Sequence, residues 1–139
     1  MKSQPQGDGQ SPALPVATLY APRNTHYALL MFQYIALAKD KSWQAGPYPG
    51  VELMVLHKNE STGGVAVLRK FHAGVTVPAH THPLANEFVY VLSGEWEESG
   101  VVYSTGAFFF APKGEKHGPH VSRVETISLT VFDGPLTVA

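Results

Sequence analysis

From Trp43 onward the chain consists of short apolar runs separated by glycine and proline, and this punctuation restricts the fold more than any other feature. Many short strands with closely spaced turns are typical of β-sandwiches and β-barrels. No internal repeat is visible, so the sequence predicts an all-β fold with a single barrel over residues 43–139. The predicted strands are Val51–Leu56, Val65–Phe71, Val75–His82, Glu87–Leu92, Val101–Tyr103, Phe108–Ala111 and Thr126–Phe132.

The segment before the barrel divides into two parts. Residues 1–16 are rich in Gln, Gly, Ser and Pro, which predicts a flexible tail. Residues 17–42 form an arm whose apolar run, Tyr27 to Ala38, is shorter than the roughly 20 residues that span a bilayer. Periodicity leaves a short helix and a buried strand open, and the abundance of Ala, Leu and Met favours a helix. We expect the arm to pack on the barrel or on a partner subunit.

Composition restricts the chemistry and the partners. The 139 residues include no cysteine, so disulfides and thiolate ligands are excluded, and any metal must bind imidazole, carboxylate and water. The formal net charge is −1 and no basic stripe is visible, so nucleic acid is not an expected partner. The N-terminus lacks the apolar stretch of a secretory signal. These observations predict a cytoplasmic protein with no membrane association.

Two segments contain residues suited to metal binding. His80 and His82 are one residue apart in a segment predicted to be extended, so both imidazoles point to the same side. Glu87 shares a strand face with apolar residues, and a buried carboxylate requires a partner. His117 follows a turn and can reach the pair once a barrel closes. Three imidazoles and one carboxylate suit Fe, Mn, Ni, Cu or Zn rather than calcium.

These segments resemble the two motifs of the cupin superfamily. The first motif, G-x5-H-x-H-x4-E-x6-G, matches Gly74, His80, His82, Glu87 and Gly94. The second, G-x5-P-x-G-x2-H-x3-N, matches Gly106, Pro112, Gly114 and His117, but Val121 stands where the family has asparagine. The resemblance implies a cupin barrel, also called a double-stranded β-helix or jelly roll. It covers roughly residues 43–136, so the N-terminal arm is outside it.

The chain is similar to small cupins of two kinds, the β-diketone (acetylacetone)-cleaving or hydroxyacetophenone-type dioxygenases and the cupin domain of zinc-binding anti-sigma factors. The first similarity implies an Fe(II) dioxygenase that cleaves a small diketone or hydroxyketone, with Glu87 as the catalytic residue, acting as a fourth ligand or proton acceptor. The second implies a non-catalytic zinc-binding sensor. An O2-independent isomerase or lyase is a third possibility, and the ion could also be Zn, Mn or Ni. Because cupin barrels commonly pair, we expect a homodimer.

The remaining histidines and the aromatic residues are expected outside the predicted ligand group. His120 is expected on the face opposite His117, because it lies three residues further along a predicted strand. The other histidines, His26, His57 and His72, are expected at the surface. The aromatic side chains expected mainly to fill the core, with a few of them lining the barrel cavity, are Tyr90, Trp96, Phe108, Phe109 and Phe110.

Overall fold

The computed structural model describes residues 32–139, so the predicted tail and residues 17–31 of the arm lie outside the described residues. Residues 35–139 form one compact unit. Residues 34–37 are in neither helix nor strand, and a single 3-10 turn spans Ala38–Asp40. Within the described part of the chain, no helix is long and apolar enough to cross a membrane.

Ten strands make up nearly all the regular structure of residues 32–139. In chain order they are β1 (Gln44–Ala45), β2 (Val51–Lys58), β3 (Val65–Phe71), β4 (Val75–Val77), β5 (Glu87–Ser93), β6 (Glu95–Glu98), β7 (Val101–Ser104), β8 (Phe108–Ala111), β9 (His120–Ser122) and β10 (Thr126–Phe132). They form two antiparallel sheets with the orders β1-β2-β3-β10-β5-β8 and β4-β9-β6-β7. The all-β fold predicted from the short apolar runs and the turn residues between them is confirmed.

The interior is apolar at its centre and polar along one strand. Val51, Phe71, Val89, Val91 and Trp96 belong to the main buried cluster. Over most of β10 the alternation is reversed, because its small polar residues are fully buried and the apolar residues between them are more exposed. Only Phe132, at the end of the strand, is both apolar and buried. The buried residues of β10 are Thr126, Ser128, Thr130 and Phe132. Ser128 Oγ and Thr130 Oγ1 lie 3.2 Å apart and hydrogen-bond to each other, so this strand places small polar groups in the interior.

Several predicted elements were wrong in detail. The strand predicted over Val75–His82 ends at Val77, because Pro78 has no backbone N–H to continue the pairing. Strands β1, β6 and β9 were not predicted. Tyr90, Phe108 and Phe110 were expected in the core but are 45%, 61% and 52% exposed, because β5 and β8 turn alternate residues outward. Phe109, between Phe108 and Phe110, faces inward against Trp96.

Candidate metal centre

The four predicted ligands converge inside the barrel. His80 and His117 form an isolated β-bridge, in which each backbone N–H donates to the other residue's carbonyl at 2.9 and 3.0 Å. Glu87 is the first residue of β5, and its side chain is buried, as are those of His80 and His82. One potential ligand atom from each of the four residues lies within 4.8 Å of the others. Their spacing and type fit a single transition-metal ion.

The backbone after His117 allows this approach. Gly118 has a φ of +91°, which favours glycine, and a Cβ at this position would lie 3.1 Å from Ala79 Cα. A larger residue would therefore crowd the segment that carries His80. Because the chain departs from strand geometry here, His117 and His120 both point into the barrel. The prediction that His120 faces the opposite side was wrong, since it assumed a continuous strand.

Hydrogen bonds orient all three imidazoles in the same sense. Nδ1 of His80 lies 2.7 Å from the Pro78 carbonyl, and Nδ1 of His82 lies 2.8 Å from the Thr137 carbonyl. Nδ1 of His117 is 3.4 Å from the carbonyl of Glu115. Because a carbonyl only accepts hydrogen bonds, each Nδ1 is placed to donate, and Nε2 is the nitrogen left to face a metal ion. This is the tautomer that metal-binding histidines adopt when Nε2 is the ligand.

The carboxylate of Glu87 lies between the histidines and a buried arginine. Its Oε2 is 3.0 Å from His82 Nε2 and 3.1 Å from His117 Nε2. Even so, His82 Nε2 is fully buried and makes no hydrogen bond of acceptable geometry. A buried nitrogen without a partner is costly, and a metal ion would provide one. The site therefore fits a metal both by its ligand types and by this unsatisfied atom.

Arg69 is a central residue of the site that was not predicted from the sequence. Its Nη2 lies 2.7 Å from Glu87 Oε1, and its side chain is 11% exposed. Ser128 of β10 lies directly opposite it, and that small side chain leaves space for the guanidinium. The guanidinium carbon is also 5.3–5.8 Å from the centroids of the Phe71, Trp96 and Phe132 rings. The reversed alternation of β10 was the available signal for a polar interior.

The charges in the site perturb its pKa values in different directions. Burial acts to raise the pKa of Glu87, but Arg69, His117 and His82 outweigh it and hold that pKa well below its usual range. Burial lowers the pKa of His80. The hydrogen bond with Glu87 raises the pKa of His117. Glu87 is therefore ionised at neutral pH, as a metal ligand or a partner of Arg69 must be.

His120 is buried beside the site but does not belong to it. Its ring stacks on Trp96 with centroids 3.7 Å apart and meets Phe71 edge-on at 4.6 Å. Burial is the main cause that lowers its pKa to about 4. His72, as predicted, is at the surface, where its Nε2 lies 2.6 Å from Glu52 Oε2. His57 is exposed, and His26 lies outside the described residues.

Within residues 32–139, two cavities border members of the four-residue group. The larger, of about 140 Å³, is bordered by His117 and Glu87 and has mainly apolar walls that include Val89, Trp96 and Phe109. The smaller, of about 30 Å³, lies beside His80, His82 and Arg69. The smaller has room for little more than water. A ligand that reaches the centre is therefore expected in the larger cavity.

The sequence profile of the ChrR cupin-like domain matches residues 33–137. The chain belongs to this cupin family. The cupin resemblance inferred from the two motifs is thereby confirmed. A comparison with curated proteins gives no match. The ChrR cupin-like chain also has the three histidines and one glutamate of a metal-dependent cupin, brought together as described above.

Solved structures share the fold of this ChrR cupin-like chain. An RmlC-like cupin from Ralstonia eutropha aligns with a TM-score of 0.66 and 19% identity, covering 80% of this chain and 81% of that one. An acetylacetone dioxygenase from Acinetobacter johnsonii gives 0.63 and 20%, with 76% of each chain covered. KdgF from a Halomonas species gives 0.61 and 23%, with 72% and 94% covered. At these identities the similarity establishes the fold alone.

Proposed function

We propose that this protein is a metal-dependent dioxygenase, with Fe(II) as its ion, that cleaves a small diketone or hydroxyketone. The observation that carries the proposal is the cavity of about 140 Å³ bordered by Glu87 and His117. An apolar cavity of about 150 Å³ in another protein accepts benzene, so this size suits a compact organic molecule. The acetylacetone dioxygenase from Acinetobacter johnsonii has the same fold, which supports this reaction class.

The chain's own residues would bind the ion and the substrate on different sides. His80, His82 and His117 would hold the ion through Nε2, with Glu87 as a fourth ligand or a proton acceptor. When bound, iron(II) would supply the positive charge that stabilises an enolate and the redox chemistry that O2 requires. Arg69 holds Glu87 Oε1, so that Oε2 stays directed at the histidines.

The walls of the larger cavity would position the substrate and exclude water. Val89, Trp96 and Phe109 present apolar surface next to His117. A ketone placed against them loses its hydration shell on one side and can turn its carbonyl oxygen toward the histidines. The complete reaction would consume one O2 for each C–C bond cleaved. Both oxygen atoms would enter the two carbonyl products.

Oxygen consumption tests the proposal directly. Protein loaded anaerobically with Fe(II) would be mixed with aerated solutions of 2,4-pentanedione and a series of hydroxyacetophenones while O2 is followed with an electrode. We expect uptake that depends on the substrate and is absent from His80→Ala and from zinc-loaded wild type. Uptake no greater than that of His80→Ala across the series would contradict the proposal. Turnover without O2 would instead indicate an isomerase or lyase.

A non-catalytic zinc-binding module is the second candidate, and the number of converging side chains favours it. His80, His82, Glu87 and His117 together could complete a tetrahedral zinc site, and closed sites of this kind are usually structural. Elemental analysis of protein purified without a metal-chelating tag separates the candidates. Iron would support the dioxygenase. Zinc, together with four protein ligands and no binding of ketones, would support the sensor.

The exposed aromatic residues support a homodimer, which we propose as the assembled form. Tyr90, Phe108 and Phe110 lie on the outer face of the paired strands β5 and β8, and the outward residues of these two strands include no charge. An uncharged apolar surface can face its own copy across a two-fold axis without repulsion. Light scattering at micromolar concentration should give twice the chain mass. A wild-type mass equal to that of one chain, and the same mass for Phe108→Glu, would contradict the dimer.

A further inference from the structure

Glu98 is a second carboxylate at the larger cavity, and the proposed mechanism does not use it. It ends β6 and, with Glu87 and His117, forms part of the cavity wall. Trp96 is two residues earlier on the same strand, so both side chains point to the same face. The Trp96 indole N–H donates to Glu98 Oε2 at 2.9 Å. The indole thus holds the carboxylate in a fixed position at the cavity.

The Glu98 carboxylate has capacity for a further hydrogen bond. A carboxylate offers about four acceptor sites on its two oxygens and no donor, and the indole occupies one of these sites. The remaining walls are mainly apolar, so Glu98 is the acceptor that a ligand meets away from the histidines and Glu87. A ligand that brings a hydroxyl donor would gain a charge-assisted hydrogen bond there. An anionic ligand would be repelled by the two carboxylates.

We infer that Glu98 determines specificity by accepting a hydrogen bond from the substrate, so that the cavity selects a neutral hydroxyketone. The inference rests on the proposed function and decides between the two substrate classes left open there. The carbonyl end would face the histidines, and the hydroxyl would donate to Glu98. A ketone of the same size without a donor would leave Glu98 facing apolar atoms, which weakens binding.

Two isomeric probes test this without turnover. The probes 1-hydroxy-2-butanone and 1-methoxy-2-propanone have the same atoms, but the second has no O–H. Their dissociation constants would be measured by calorimetry on zinc-loaded protein. We expect wild type to favour the hydroxyketone by about tenfold, the usual effect of a hydrogen bond to a charged group. Metal chelation alone could also favour a hydroxyl, so variants must show which part of the preference depends on Glu98.

Three variants provide that comparison. Glu98→Gln removes the charge, and Glu98→Asp withdraws the carboxylate by one methylene, so each should reduce the preference to less than about threefold. Glu95→Gln is the matched control, because Glu95 is exposed on the same strand and loses the same charge. It should retain the wild-type preference. Thermal melts confirm folding, and if one Glu98 variant fails to fold, the other gives the answer.

The outcomes distinguish failure of the Glu98 site from failure of the proposed dioxygenase. Equal affinities of wild type for the two isomers, or a preference that both Glu98 variants retain, would overturn the role of Glu98 and leave the dioxygenase untouched. A preference lost in the Glu98 variants, with no O2 uptake by iron-loaded protein, would support the Glu98 site and contradict the dioxygenase. Failure of both isomers to bind at millimolar concentration would overturn the inference.

Discussion

Arg69 Nη2 lies 2.7 Å from Glu87 Oε1 inside the barrel, whereas the other oxygen of the same carboxylate faces His82 and His117. One carboxylate thus has both a permanent cation and the histidine group as neighbours. Both partners of the ion pair are nearly buried, so water cannot replace either of them. Removing one partner would leave an uncompensated charge in the interior, which is much more costly than losing a surface ion pair.

Replacement of Arg69 should therefore destabilise the metal-free protein strongly. We expect Arg69→Met to lower the free energy of unfolding by about 3–5 kcal/mol, measured by urea denaturation. Lys58→Met is the matched control, because Lys58 and Glu60 are 58% and 83% exposed in their ion pair and such pairs contribute at most about 1 kcal/mol. The double variant Arg69→Met, Glu87→Gln should regain much of the loss, since it removes both charges. Similar losses in Arg69→Met and Lys58→Met would show that burial of the Arg69–Glu87 pair does not determine its contribution.

The three histidines should be individually required for metal binding. We expect His80→Ala, His82→Ala and His117→Ala to lose most of their bound transition metal after reconstitution and desalting, as measured by elemental analysis. Each substitution removes one of the Nε2 atoms that converge with Glu87. His72→Ala is the control, because this exposed histidine pairs with Glu52 on the barrel surface and should leave metal content unchanged. Full metal content in any of the three ligand variants would show that the ion binds elsewhere.

The local sequence was sufficient to predict the ligand group. His80 and His82 are close in sequence, and Glu87 follows after a turn, so short-range geometry and the motif spacing place them together. The match of His117 to the second motif then supplied the ligand from the distant segment. The four side chains converge because each position is fixed either by a turn or by adjacent pairing.

The residues that sequence reasoning missed depend on contacts between distant strands. Arg69 and Lys70 are adjacent cations in β3, and nothing local shows which of them is buried. Only the pairing of β3 with β10 places Arg69 opposite Ser128 and near Glu87. His120 was misplaced because Gly118 interrupts the strand that the argument assumed. Phe108 was placed inside on hydrophobicity alone, although alternation along a strand at the sheet edge turns it outward.

Stability should fall as the pH is lowered because His120 is buried in its neutral form. Its pKa is about 4 in the folded protein, whereas the unfolded chain binds the proton near pH 6.5. Between these values the unfolded state holds more protons, so the free energy of unfolding decreases as pH falls. This residue alone should contribute a loss of roughly 2 kcal/mol between pH 7 and pH 5.

A comparison with His120→Phe isolates that contribution. The phenyl ring can pack against Trp96 and Phe71 as the imidazole does, but it does not titrate. Urea unfolding of both metal-free proteins at pH 7 and pH 5 shows how much the free energy of unfolding of each one changes with pH. The difference between these two changes is the contribution of His120, because the effects of all other groups cancel. A variant as sensitive to pH as wild type would show that His120 is not responsible.

The C-terminal segment should strengthen metal binding through a main-chain atom. The carbonyl of Thr137 accepts the hydrogen bond from His82 Nδ1 at 2.8 Å, and the segment is also held by a pair of backbone hydrogen bonds between Ala139 and Thr81. Removing residues 135–139 should weaken metal affinity by about 10–100-fold, the usual effect of losing a group that orients a ligand. Competition with a chelator measures this affinity. Thr137→Ala keeps the backbone carbonyl and should bind the metal as tightly as wild type. If the truncated chain also bound the metal as tightly as wild type, His82 would be oriented by its other contacts.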